Sequence, residues 1–175
     1  MNHEKKNNKN ILVTGGAGFI ASHIVDKLVA KNHNVSVIDN LCEGKISNLD
    51  KSINKVQFIE GSICDEKLVK NSLNHIDIVF HFAGNANVPK SVDEPKYDFD
   101  NNICGTFVLL DSIRKHNTKC NVVFASTAGV YGPPVNIPMQ ESDLPNPISP
   151  YGASKLACEK IGLAYNHCYG INFLP

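Results

Sequence analysis

The chain is nearly without arginine: Arg114 is the sole Arg among 17 Lys and Arg residues in a sequence of 175. Bidentate recognition of phosphate or carboxylate by a planar guanidinium is therefore scarcely available to it. Net charge is lacking too, with 17 basic against 17 acidic residues, so no whole-molecule field favours nucleic acid or an anionic membrane surface. Any anion must be bound locally, and no nucleic-acid partner is expected. No apolar stretch approaches the roughly 18 residues of a membrane span, and the opening Met1 to Asn10 is a polar Lys/Asn run rather than a signal-peptide core. These absences point to a cytoplasmic protein with no membrane partner. The six cysteines, at 42, 64, 104, 120, 158 and 168, include no C-x-x-C pair, and the seven histidines form no H-E-x-x-H or H-x-H cluster. Reduced, buried thiols and no metal site follow from that pattern.

What is present is a chain with 42% hydrophobic and 19% charged residues, long enough for one domain with its own core. Residues 1–9 read as a polar tail and 10–175 as the domain. Short apolar runs rich in β-branched residues recur at Ile11 to Val13, Val35 to Ile38, Val56 to Ile59, Ile76 to Phe82, Asn121 to Ala125 and Ile171 to Leu174. Runs of this kind suit strands buried on both faces of a parallel sheet. Helical stripes lie between them: Ile20, Ile24, Leu28; then Ile103, Phe107, Leu110, Arg114; then Ala157, Ile161, Ala164, Cys168. The alternation predicts an α/β fold, a doubly wound parallel sheet with strand order 3-2-1-4-5 and a short sixth strand. Gly132 to Pro150 breaks the rhythm with six of the nine prolines. A long loop leaving the carboxyl edge of such a sheet is expected to be functional.

The first strand runs into Thr14-Gly15-Gly16-Ala17-Gly18-Phe19-Ile20-Ala21 and then a helix. Glycines at such a turn let backbone approach a pyrophosphate, and the helix start adds N–H donors and partial positive charge. Asp39, 21 residues after Gly18 at the end of the second strand, completes the dinucleotide pattern. Its carboxylate accepts from a ribose 2′-hydroxyl and repels a 2′-phosphate, which favours NAD over NADP; Asn40 follows, and no Arg does. The third strand exits through Gly61-Ser62-Ile63-Cys64-Asp65 and the fourth through Phe82-Ala83-Gly84-Asn85-Ala86. Both are small-residue exits on the same edge, suited to adenine and nicotinamide ribose lying close to backbone.

Tyr151-Gly152-Ala153-Ser154-Lys155 carries the reacting groups. Ser149 is a natural N-cap and Pro150 a natural first helical residue, so Tyr151 and Lys155, at i and i+4, share one helix face. An unperturbed phenol, with a pKa of about 10, is a poor base at neutral pH, and a neighbouring ammonium favours phenolate. That arrangement makes Tyr151 a candidate general acid/base and gives Lys155 a second task on the nicotinamide ribose. At the end of the fifth strand, Ser126 and Thr127 are both candidates to hydrogen-bond the substrate alcohol.

Together these stretches resemble the extended short-chain dehydrogenase/reductase family of NAD-dependent epimerases and dehydratases, and within it the UDP-glucose 4-epimerases. The likeness lies in T-G-G-A-G-F-I at 14–20, D-N-L at 39–41, H-F-A-G at 81–84, N-N-I-C-G-T at 101–106, S-T-A-G-V-Y-G at 126–132 and S-P-Y-G-A-S-K at 149–155. The resemblance implies an NAD(P)-binding Rossmann fold. It implies a cofactor site on Gly15, Gly16, Gly18, Phe19, Ile20, Asp39, Asn40, Ser62, Ile63, Asp65, Phe82, Ala83, Gly84, Asn101, Asn102, Tyr151 and Lys155. Counting back from V-Y-G, the family's catalytic Ser/Thr falls on Thr127. The implied reaction is reversible oxidation at C4 of a nucleotide sugar, a UDP-hexose. Ala128 and Gly129 follow Thr127 where the family's dehydratases and decarboxylases carry a carboxylate, which favours epimerisation. The alternatives are an NAD-binding module without turnover, or a dehydratase or reductase of the same family. The family continues into a C-terminal substrate domain, whereas this sequence stops at Leu174-Pro175, so that domain is expected to be absent. Pairing into a homodimer through Lys96 to His116 and Pro150 to Cys168, with Phe107, Leu110 and Ala164 contributing, is also implied.

Overall fold

Each strand is followed by a crossover that returns to the same edge, so every strand pair is parallel. Strands β1 (Asn10–Thr14), β2 (Asn34–Asp39), β3 (Val56–Glu60), β4 (Ile78–His81), β5 (Asn121–Phe124) and β6 (Phe173–Leu174) form one sheet in the order β3-β2-β1-β4-β5-β6. This is the doubly wound order expected from the alternation, with β6 as its short outer member. The computed structural model describes residues 8–175, so most of the polar tail expected over 1–9 lies outside the described residues. Among the described residues, no helix is long and apolar enough to cross a membrane.

The period of two along each strand divides the core into two layers. Ile11 and Val13, in register with Val35 and Val37, pack with Ala21 and Val25 of α1 (Phe19–Ala30). On the opposite face Leu12, Val79 and Val122 meet α2 (Glu66–Ser72), α5 (Gly105–His116) and α6 (Pro150–Tyr169). Two short helices, α3 (Val88–Asp93) and α4 (Pro95–Phe99), lead through a π turn (Asp100–Cys104) into α5. Residues 131–149 hold no helix or strand, as the cluster of prolines predicts.

The helical stripes hold in part: Leu28, Ile103, Leu110 and Ile161 pack on the core, while other stripe positions face outward. Ile20 is 66% exposed, and α1 buries Ala21, Ser22 and Val25 instead, because its first turn must lie close to the glycine turn and only small side chains fit there. In α5 Phe107 points outward while Leu109, Leu110 and Ile113 are wholly buried. Leu110 is therefore core and unavailable to a dimer face. Helix α6 buries Gly152, Ser154, Lys155, Cys158 and Gly162, leaving Ala164 and Cys168 exposed. At Gly162 the ring of Phe173 occupies the place of a side chain, which brings α6 down onto β6. The cysteines divide as well: all six are free, but only Cys120 and Cys158 are buried, while Cys42, Cys64 and Cys168 are exposed.

Candidate active site

Five strand tips and three helix starts surround one cavity of about 730 Å3 at the carboxyl edge of the sheet. The glycine turn forms one wall. Gly15 has φ +69, and a Cβ on it would lie 2.7 Å from the Ala83 nitrogen, so the β1 and β4 exits touch backbone to backbone there. Gly18 caps α1 without a side-chain hydrogen bond, and no acidic residue stands in the first turn. The N–H groups of that turn are thus left for an outside acceptor. Asp39, nearly buried at the tip of β2, accepts from Ala17 N at 2.9 Å through Oδ2 and from Leu41 N at 2.8 Å through Oδ1. Its carboxylate pins the glycine turn as well as facing the cavity, a second role that spacing alone does not reveal.

The β4 exit rests on a buried amide network. Asn102 Nδ2 donates to Asp98 Oδ1 at 3.0 Å and Ser154 Oγ at 2.9 Å, and Asn85 Nδ2 donates to the same Asp98 oxygen at 2.8 Å. Asn102 Oδ1 is buried without a partner and faces Gly84, whose φ of +148 brings backbone over it. Gly84 and Asn101 line the cavity, while Asn102 supports it from behind.

Helix α6 starts as expected. Ser149 Oγ accepts from Gly152 N at 3.1 Å with Pro150 in the first turn, and Tyr151 N donates to Ser91 Oγ at 3.1 Å, fastening α6 to α3. Lys155 is 6% exposed; its Nζ donates to the Ala125 carbonyl at 3.0 Å and lies 4.7 Å over the Phe124 ring. Burial holds this ammonium below the ordinary lysine range, with Cys158 and Asp98 partly offsetting it. Ser126 Oγ donates to Glu159, one turn beyond Lys155 on α6. Thr127 Oγ1 accepts from Gly129 N at 3.1 Å, capping a short 3-10 turn over Ala128–Val130.

The cavity brings together Gly15, Gly18, Phe19 and Ile20 from the glycine turn, Asp39 and Asn40 from β2, and Ser62 and Ile63 from β3. Phe82, Ala83 and Gly84 from β4 join Asn101, Ser126, Tyr151 and Lys155 on the remaining sides. Four expected positions stand outside its lining. Gly16 faces Val37, Asp65 caps α2 through Leu68 N, Asn102 is second in line, and Thr127 lies just past the rim. Sequence reasoning missed Cys42, Glu43 and Tyr97, which line the cavity, and Glu159 behind it; Asn85 of the β4 exit lines it too. Cys42 Sγ meets Tyr97 Oη at 3.5 Å, and Lys90 pairs with Glu43 at 3.1 Å while lying 4.0 Å over the Tyr97 ring. Only Glu159 had a signal, its i+4 spacing from Lys155. A second groove of about 400 Å3, lined by Ser36, Gln57 and Asn71 among others, lies away from the strand tips.

Residues 12–174 match the family described as GDP-mannose 4,6 dehydratase. The chain belongs to that family. Within it, this dehydratase-family chain is 42% identical over 166 residues to a UDP-glucose 4-epimerase of Halalkalibacterium halodurans, covering 94% of the chain and 48% of that protein. The UDP-glucose 4-epimerase of Brucella ovis, solved in complex with NAD, superposes at TM-score 0.88 with 36% identity, over 94% of this chain and 50% of that one. The Thermotoga maritima UDP-glucose 4-epimerase, solved with UDP-glucose, superposes at TM-score 0.87 with 43% identity, over 94% and 53%. The chain spans about half the length of the curated relatives it matches.

Proposed function

We propose that the chain is the cofactor-binding part of a nucleotide-sugar 4-epimerase that interconverts UDP-hexoses through transient oxidation at C4 by bound NAD. The observation that carries this reading is the meeting of Tyr151, Lys155 and Ser126 with a glycine-turned helix start in one cavity. That its relatives are named UDP-glucose 4-epimerases supports the same reaction class. A cavity of about 730 Å3 is of ligand-binding size.

The residues fit NAD. The bare backbone at Gly15 and Gly18 and the open N–H groups of α1 suit a pyrophosphate, and Asp39 keeps lone pairs free for a ribose 2′-hydroxyl. Asn40, Ser62 and Ile63 border the adenosine end, while Phe82, Gly84, Asn101 and Lys155 border the nicotinamide end. Bound NAD would supply reversible two-electron oxidation at C4, with no net redox change. Tyr151 takes the C4 hydroxyl proton and returns it; Lys155 holds the nicotinamide ribose and places a positive charge on the same helix face. Ser126 has its proton committed to Glu159, so its oxygen is left to accept. Thr127 accepts from Gly129 N and keeps its own proton to donate, which suits it to the sugar O4.

The rival reading, an NAD-binding module without turnover, is favoured by the place of Arg114. On α5 it pairs with Asp111 at 2.8 Å and lies over Tyr169 of α6, away from any diphosphate at the cavity. Adding UDP-galactose to the purified chain separates the two: UDP-glucose appears under the first, and NAD is released on denaturation without turnover under the second. Tyr151→Phe should abolish turnover and spare NAD; undiminished turnover refutes the role given to Tyr151. We also assign a cytoplasmic setting, and a homodimer through α5 and α6, on which Phe107 and Leu163 are exposed at 47% and 43%. A monomer in analytical ultracentrifugation would refute that pairing.

A further inference from the structure

Cys64 follows β3 on the exit loop that carries Ser62 and Ile63. Its Sγ donates to the carbonyl oxygen of Asp100 at 3.3 Å and stands 3.7 Å from the place a Cβ on Gly105 would take. Asp100 and Gly105 bracket Cys104, the last residue of the π turn Asp100–Cys104. Helical side chains tilt toward the N-terminus and cover the turn before their own Cα. The Cys104 side chain therefore leans back over Asp100, the residue whose carbonyl already holds Cys64 Sγ. Between the two segments the packing is close, since a Cβ on Gly105 would meet Ile63 Cγ2 at 2.6 Å. Cys104 lies near enough to Cys64 for the charge of one thiolate to act on the other.

We propose that Cys64 and Cys104 form a dithiol site, reversibly oxidised to an intramolecular disulfide by a small-molecule disulfide such as oxidised glutathione. The Cys64 thiolate, the more exposed, attacks one sulfur of oxidised glutathione, forming a mixed disulfide and releasing one glutathione thiolate. The Cys104 thiolate then attacks Cys64 Sγ, forming the Cys64–Cys104 bond and releasing the second. The two cysteine protons end on the two glutathione thiols, so atoms and electrons balance. No other pair is so placed. Cys120 and Cys158 are sealed in the core, where burial pushes the Cys120 thiol up to about 12, and Cys42 Sγ is engaged with Tyr97. Desolvation of the Cys64 sulfur against its neighbours raises its thiol above the ordinary range, so exchange quickens toward alkaline pH. The bridge fastens the loop bearing Ser62 and Ile63 to the turn bearing Asn101, and all three line the cavity. The site stands apart from the epimerase reading, because it holds whatever ligand the cavity takes.

The full chain is incubated with oxidised glutathione, its remaining thiols are alkylated, and tryptic peptides are mapped by mass spectrometry without reductant. Trypsin separates the two cysteines at Lys67, Lys70, Lys90 and Lys96. The expected result is a cross-linked pair containing Cys64 and Cys104, lost on treatment with dithiothreitol, with two fewer alkylated thiols per chain. In Cys104→Ser, Cys64 should stop at the glutathione adduct. Accumulation of that adduct in the unaltered chain with Cys104 alkylated, linkage of Cys64 to another cysteine, or no reaction at either thiol would each overturn the proposal. The wild-type map decides the matter even where a serine variant fails to fold.

Discussion

Lowering the pH probes the core at one residue, His81, whose ring is wholly buried between Thr14 and Phe124 in the sheet register. Nδ1 lies 2.7 Å from Thr14 Oγ1 and Nε2 lies 3.0 Å from Thr106 Oγ1, so a neutral ring is satisfied on both sides. Burial, with the Lys155 ammonium adding to it, lowers the pKa from 6.5 to about 3. The unfolded chain takes up a proton near 6.5 that the folded chain refuses until near 3, so stability is full above that window and falls as pH falls through it. A shift of that size is worth about 5 kcal/mol over the whole window, and about 2 kcal/mol of it is lost by pH 5. Domains of ordinary stability have only about 5–15 kcal/mol in all. Urea unfolding followed by far-UV circular dichroism suits a chain without Trp. Measured at pH 7.5 and pH 5, wild type should lose about 2 kcal/mol more than His81→Gln, which keeps a donor and an acceptor without titrating. Comparing the pH difference within each chain removes the cost of the substitution and the other titrating groups. An equal pH loss in both chains refutes the assignment of the acid limb to His81.

Two further outcomes follow from the packing. Gly162→Ala places a methyl group into the Phe173 ring and should lower stability by about 1–3 kcal/mol in the same urea assay; a neutral effect would show that α6 does not rest on β6 as described. Lys155 has a folded pKa depressed by burial, so the cost of burying its charge is present below that value and relieved as pH climbs toward 10.5. Wild type should therefore gain stability between pH 8 and pH 10 relative to Lys155→Met, and equal gains in both would contradict a strained ammonium.

The parallel sheet and its order were legible because β-branched runs alternating with helical segments admit few other topologies. The glycine turn, Asp39 and the Ser149 cap were legible for a similar reason: each is a local device whose residue types are dictated by backbone geometry. The helix faces were legible only in part, with Leu28, Ile103, Leu110 and Ile161 packing inward as the stripes predict. Ile20, Phe107 and Ala164 match an apolar repeat, yet all three are exposed, because which face turns inward depends on what the helix meets. In α1 and α6 the sheet is met by small residues that permit close approach, and periodicity of large apolar residues is blind to them. The thiols misled likewise: the lack of a paired-cysteine pattern read all six as buried, and the fold leaves Cys64 and Cys168 outside.

The sequence by itself determined the fold class, the strand order and the set of strand tips at which a ligand can sit, since those depend on periodicity and turn chemistry within a few residues. Only the tertiary structure decided how distant residues share work. It set Ser126 against Glu159, gave Asp39 its grip on Ala17 and Leu41, hid Asn102 behind Gly84, and laid Cys64 against the turn that ends in Cys104. Each of these pairings is a contact between segments brought together by crossovers, and spacing along the chain carries no record of the distance that remains once the sheet has closed.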